Sequence, residues 1–214
     1  MTLTVSGLIM AGSAFAHTTV QMDRSNPQNL RIEAVSSSSE EAHEGATRFI
    51  TKVSERGLAF LGDEKLTHEQ REKEFRKLLN DSFDLKTIGK FALGRYWRTA
   101  TKAQKDEYLE LFEDMIIETY ARRFEEYQGQ QIQVGTARSV GSNGDSLVQS
   151  SIISSGSPDV SVDWRVRKNG NTYQVIDVLV EGVSMSVTQR SEFSSIIQRG
   201  GGNIDALLEK LRTR

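Results

Sequence analysis

From Glu40 onward, apolar residues recur three and four apart. Ala46, Phe49, Ile50, Val53, Gly57 and Phe60 fall on one side of a helix, and Gly62 interrupts the run. Thr67 followed by Gln70 has the pattern of a capping box, opening a helix that carries Phe75, Leu78 and Leu79. Leu85, Ile88 and Phe91 predict a short helix ended by Gly94. Thr101 with Gln104 makes a second capping box. The stripe Tyr108, Leu111, Phe112, Met115, Ile116, Tyr120, Phe124 and Tyr127 then predicts one long helix of about seven turns, up to Gly129.

Beyond Gly129 the period falls to two. Strands are predicted over residues 131–140, 146–154, 160–167 and 173–180, with Asn169-Gly170 as a strong hairpin signal between the last two. In the third, Val160, Val162, Trp164 and Val166 alternate with Ser161, Asp163, Arg165 and Arg167, as expected of a strand with one wet face. Gly182 breaks the alternation like a bulge, and Val183, Met185 and Val187 resume it. Thr188 is a candidate cap for a helix bearing Phe193, Ile196 and Ile197, stopped by Gly200 to Gly202. A last helix carries Ile204, Leu207, Leu208 and Leu211. Helices, then antiparallel strands, then helices predict an α+β domain: helical over 40–128, a curved sheet over 129–187, C-terminal helices over 188–213.

Composition narrows the function. The chain has 214 residues, 37% apolar and 26% charged, enough for a sizeable core, and a net charge of −2. No long basic run offers a nucleic-acid footprint. There is no cysteine, so disulfides and thiol catalysis are excluded. His17, His43 and His68 lack metal-site spacing. The triple glycine follows a helix instead of opening one, so it is no phosphate cradle. Residues 1–16 contain an apolar run, Val5 to Ala16, ending in Ala14-Phe15-Ala16, which fits an export signal. No Lys or Arg precedes it, and a plain unstructured N-terminus is the alternative. Residues 17–39 are polar and aperiodic, as in a flexible lead-in.

Several longer motifs are more specific. Phe91-Ala-Leu-Gly-Arg-Tyr-Trp-Arg98, Ala100-Thr101 with Gln104, Leu111-Phe112, Thr119-Tyr120-Ala121 with Arg123-Phe124, and Tyr127-Gln-Gly129 come in that order. Val162-Asp-Trp-Arg-Val-Arg167 follows, then Val175-Ile-Asp-Val, Val180-Glu-Gly-Val-Ser-Met185, Val187-Thr-Gln-Arg190 and Glu192-Phe193. The series resembles the MlaC family, also called toluene-tolerance auxiliary proteins, over roughly Glu44 to Leu211. The resemblance implies a helical part packed on a curved antiparallel sheet of nuclear-transport-factor-2-like type (NTF2-like), enclosing an apolar pocket. It implies a periplasmic protein that carries phospholipid as cargo, with no cofactor, no nucleic-acid partner and no catalytic residues. Its implied partners are an outer-membrane lipoprotein–porin complex and an inner-membrane ABC transporter complex whose substrate-binding subunit has a ring-shaped domain.

If that pocket exists, the apolar residues of the sheet and of the helices over it are candidates to line it. These are Val162, Trp164, Val178, Val180, Val183, Met185 and Val187 from the strands, Tyr120 and Phe124 from the long stripe, and Phe193. Phe91, Leu93, Tyr96 and Trp97, around a helix end, either gate the entrance or anchor the loop. Ordinary core packing is the competing role for all of them. Arg95, Arg98, Lys102, Arg122 and Arg123 form either a solvated face or a guide toward anionic surfaces. Two other readings remain open. Asp163 or Asp177 would serve as general base in a cavity enzyme of similar sheet architecture. A solid interior would make the protein a plain binding module, and a smaller cavity a site for a small apolar ligand.

Overall fold

The computed structural model describes residues 27–214, with side chains from Ser39 on. The chain divides after Ser36, and the larger unit, Ser37–Arg214, contains the sheet and the core. Helix α1 (Pro27–Leu61) begins at a proline, which fits the first helical position because that N–H has no intrahelical partner. It starts inside the stretch 17–39 expected as a lead-in. Serine is a middling helix former, and neither glycine nor a further proline interrupts residues 28–44. Residues 1–26, including the candidate export signal, lie outside the described residues.

Both predicted capping boxes form. Thr67 Oγ1 accepts from Gln70 N at 3.2 Å, and Thr67 N donates to Gln70 Oε1 at 2.8 Å, opening α2 (His68–Ser82). Asp84 caps α3 (Leu85–Leu93), which Gly94 ends with φ +61°. A single turn, α4 (Tyr96–Thr99), precedes α5 (Lys102–Ala121), opened by the Thr101–Gln104 box. Helix α5 stops well short of the predicted Gly129, giving way to a 3₁₀ turn over Phe124–Glu126. Glu125 and Glu126 would place negative charge at the wrong end of a longer helix dipole. The break also turns Phe124 away from Tyr120 and into Phe75 and Phe60, with ring centroids 5.3 and 5.9 Å apart.

The sheet is antiparallel throughout, in the order β1 (Gln131–Val140), β2 (Asp145–Ile153), β3 (Val160–Asn169), β4 (Thr172–Val180), β5 (Val183–Ser184). The β3–β4 hairpin closes around Gly170 and Asn171, one residue later than an Asn-Gly turn. Gly170 has φ +60° and Asn171 does not have positive φ, the pattern of a type II′ turn. In β4, Asp177 faces Arg165 and Val175 faces Val166, so Ile176 is an extra residue. This bulge switches the parity of the strand. Val175 before it and Val178 and Val180 after it therefore share one face with Val166, Trp164 and Val162.

The predicted strand over Val183, Met185 and Val187 is corrected. Glu181 (φ +50°) and Gly182 (φ +76°) form a two-residue turn of type I′, β5 is two residues long, and α6 (Met185–Arg199) begins at once. Ser184 supplies the N-cap expected of Thr188, accepting from Val187 N at 3.1 Å. The Thr188 hydroxyl bonds back to Ser184 O. Helix α7 (Asp205–Arg212) closes the fold.

Three apolar clusters hold the unit together. Ala46 and Ile50 of α1 pack on Val148, Val166 and Val175 of the sheet. Tyr108, Phe112, Phe193, Ile197, Leu207 and Leu208 join α5, α6 and α7. Val53, Phe60, Leu78, Ala121 and Phe124 join α1 and α2 to the end of α5. On the sheet face expected to be wet, Arg165 and Arg167 converge on Asp145, whose side chain is fully enclosed, at 2.7 and 2.8 Å.

Candidate functional site

Where the three clusters meet they do not merge. Between them lies an apolar cavity of about 300 Å³. Phe112 and Met115 of α5 come to it from the helical cluster, Trp164 and Val178 from the sheet cluster, and Phe75 of α2 from the third. Leu79, Phe83, Leu85, Ile88, Ile116, Val180 and Met185 add to a mostly apolar wall, with Thr119, Asp177, Ser186, Thr188 and Gln189 as its polar members. Tyr120 and Thr188 are its exposed members, which places the opening between the C-terminal end of α5 and the first turns of α6.

The wall is held in place by polar groups set behind or beside it. Trp164 Nε1 donates to Ser150 Oγ at 2.9 Å, and Ser150 Oγ donates to Val162 O at 2.5 Å, so the indole can turn only by breaking a buried chain of bonds. The Phe83 ring meets Trp164 edge-on at 6.4 Å. Phe83 itself is fixed where the α2–α3 link runs beside β4, with Asp84 N donating to Val175 O at 3.0 Å. Replacing Ser150 by Ala strands the indole N–H and is expected to cost roughly 1–2 kcal/mol of stability. Urea unfolding measures this, and an unchanged midpoint would mean the bond does not hold the ring.

Asp177 is the acidic residue of the wall. Its carboxylate accepts from Ser184 Oγ at 2.6 Å, Val178 N at 2.9 Å, Ser186 N at 3.2 Å and Ser186 Oγ. Four donors and a helix N-terminus make it the clasp between β4 and α6. A general base needs a carboxylate free to take a proton, and this one is fully engaged. Asp163, the other candidate base, is not in the wall. Among the described residues no group of His, Cys, Asp and Glu is placed to hold a metal ion. No helix among them is long and apolar enough to cross a membrane.

Of the residues proposed from sequence to line a pocket, Tyr120, Trp164, Val178, Val180 and Met185 do line the cavity. The others lie elsewhere. Leu93, Tyr96 and Phe193 are buried in the helical cluster, and Trp97 packs against it beneath Lys105. Phe124 fills the α1–α2 cluster. Val162 is buried beside the cavity without facing it. Phe91 is exposed, with the Arg190 guanidinium 5.2 Å above its ring, and does not line the cavity. Val183, on the short edge strand β5, and Val187, in the first turn of α6, are 55% and 51% exposed and do not line the cavity. Helical periodicity had marked Phe75, Leu79, Leu85, Ile88, Phe112, Met115 and Ile116 as inward-facing. It carried no sign of whether inward meant core or cavity. Thr119 and Gln189 stood in the resemblance motifs without being read as lining, and Phe83 had no signal.

Comparison with known proteins places this geometry. The family described as MlaC protein matches residues 51–213. The intermembrane phospholipid transport system binding protein MlaC of Haemophilus influenzae is 25% identical over 132 residues, 60% of this chain and 61% of that protein. The chain thus matches less than two thirds of that relative's length. The toluene tolerance protein ttg2D of Pseudomonas putida is 24% identical over 157 residues, 70% of this chain and 73% of that one. The structure of a phospholipid-binding protein from Ralstonia solanacearum in complex with a phospholipid aligns with a TM-score of 0.69 at 24% identity, covering 78% of this chain and 95% of the other. At that identity the likeness establishes the α+β fold alone. The family match takes in well over half of the sequence, from the second half of α1 to the last helix, and the chain belongs to the MlaC family.

Proposed function

We propose that this protein is a non-enzymatic carrier that moves phospholipid through the periplasm, between an outer-membrane lipoprotein–porin complex and an inner-membrane ABC transporter complex, and so helps keep the outer membrane asymmetric. The observation that carries the reading is the apolar cavity at the meeting point of three clusters, open at Tyr120 and Thr188. Each methylene taken from water is worth about 0.8 kcal/mol. The two acyl chains of a phospholipid, with some thirty methylenes, therefore cannot cross water unshielded, the gross cost being roughly 20 kcal/mol or more. A bilayer interior is as apolar as the cavity, so exchange between them is near balance. It needs no cofactor, no ATP at the carrier and no covalent step. The cavity is at the small end of ligand sites, and seating two tails widens it by parting the clusters around it.

The relatives' names and the bound phospholipid of the Ralstonia protein support this reading. The test of the carrier route is transfer. Protein loaded with a pyrene-labelled phosphatidylglycerol is mixed with vesicles bearing the inner-membrane complex. Label is expected to pass to the vesicles faster than to vesicles lacking the complex; equal rates would contradict the proposed partner.

A further inference from the structure

A second, more open hollow of about 570 Å³ is lined by Arg95, Tyr96, Arg98 and Thr99 around α4, and by Gln198 and Gly202 at and beyond the end of α6. It shares no lining residue with the apolar cavity. Its character is different: two guanidiniums and no acidic residue. Among the described residues, neither Arg95 nor Arg98 pairs with a carboxylate, and the groove brings the two together with no acidic residue between them.

One of the two is already fixed. The Arg95 guanidinium stands 4.9 Å from the centre of the Tyr96 ring and donates to Tyr96 Oη at 2.9 Å, and Tyr96 is itself buried. That hydrogen bond, above all, pulls the Tyr96 phenol below the usual tyrosine range, as unneutralised positive charge should. Arg98 lies three residues on, exposed, with all its donors unspent. Gln198 Nε2 donates to Ser194 Oγ at 3.0 Å, and both Ser194 and Gln198 also engage the Tyr96 phenol, which fixes that side of the groove.

We propose that this groove binds a phosphate ester, whose oxygens the forked guanidiniums of Arg95 and Arg98 take. Planar arginine forks suit phosphate oxygens, and two of them on one turn supply more donors than a carboxylate can use. The hollow is far larger than a bare phosphate ion, so the ester's organic part has room beside Gln198 and Gly202. Two sources offer this chemistry: the headgroup of a lipid in a bilayer surface, and a small water-soluble ester. The proposal does not depend on the carrier reading, since the groove and the cavity are built from different residues.

The test uses the full chain. Glycerol 3-phosphate is titrated by calorimetry at low salt, and co-sedimentation is measured with vesicles of phosphatidylglycerol and of phosphatidylcholine. Arg98→Gln should weaken the binding about tenfold or more, the effect of losing a charge-assisted contact. Among the described residues the Arg98 side chain makes no hydrogen bond or ion pair, and its backbone N–H bond to Arg95 O survives the substitution, so the thermal midpoint of Arg98→Gln should stay where it is; Arg95→Gln serves as the second variant. Arg98-dependent binding to phosphatidylglycerol vesicles assigns the groove to a headgroup. Arg98-dependent binding to glycerol 3-phosphate alone assigns it to a soluble ester. Binding to neither probe, or equal binding by the wild type and both variants, overturns the proposal. Co-purifying phospholipid should be the same in Arg98→Gln as in the wild type, which keeps this test separate from that of the carrier.

Discussion

Val180→Glu should leave the protein folded and strip it of co-purifying phospholipid, by at least about tenfold. Val180 ends β4 in the cavity wall, opposite Val162. A carboxylate there has no cation to pair with among the wall residues, and an unpaired buried charge costs several kcal/mol against any apolar occupant. The partner experiment is Val183→Glu. Val183 is Val180's cross-strand partner over the Glu181–Gly182 turn, yet its own side chain is more than half exposed and outside the cavity wall. Its substitution should leave lipid content unchanged. Met185→Glu adds a second charge in the wall at the first residue of α6, where the helix dipole favours an acid and folding is protected. Phosphorus analysis of the purified proteins reads all three. Retention of lipid by both Val180→Glu and Met185→Glu would mean that the cavity is not where lipid resides.

The largest effect on stability is expected at Asp145. Its side chain has no exposure and takes two hydrogen bonds from Arg165, at 3.0 and 2.7 Å, and two from Arg167, at 2.8 and 3.0 Å. Burial alone would raise its pKa, but the bonds and charge of Arg167 and Arg165 outweigh burial and hold it below the ordinary 3.8. Asp145→Ala leaves two neighbouring arginines of β3 side by side without their shared counter-ion. Both are about one-third exposed, so water recovers part of the loss, and about 2–4 kcal/mol is expected. The sign with pH follows from the depressed pKa. The stabilisation is complete above the unfolded value of 3.8 and is lost as pH falls through the lower folded value. Acid unfolding of the wild type should therefore steepen below about pH 3.8, and Asp145→Asn should flatten that part of the curve. Equal acid slopes would remove Asp145 from the account.

Much of the fold was legible because the deciding signals are local. Thr67 with Gln70 and Thr101 with Gln104 cap the helices they were expected to cap, and residues 131–140 form β1 as predicted. The misplacements came where tertiary contacts outweighed period. A stripe reaching Tyr127 suggested one helix, but Phe124 gains more in the cluster with Phe60 and Phe75, and the helix breaks to deliver it. Val183, Met185 and Val187 alternate as a strand would, and the alternation misled because Met185 already opens α6. Ser184, gripped by Asp177, decided for helix. The site was less legible than the fold. A residue facing a cavity and a residue facing the core occupy the same place in a hydrophobic pattern. Trp164 and Val178 line the cavity while Val162, on the same sheet face, does not. The parity switch at Ile176, which puts Val178 and Val180 on the cavity side, comes from a bulge with no glycine to announce it.

The measurement that bears most directly on the whole account is the lipid content of the wild-type protein. It is purified from bacterial periplasm without detergent and extracted with organic solvent, and the extract is quantified by mass spectrometry. A carrier with an apolar cavity should release phospholipid in near-stoichiometric amount. Protein that yields none, while remaining folded, would contradict it.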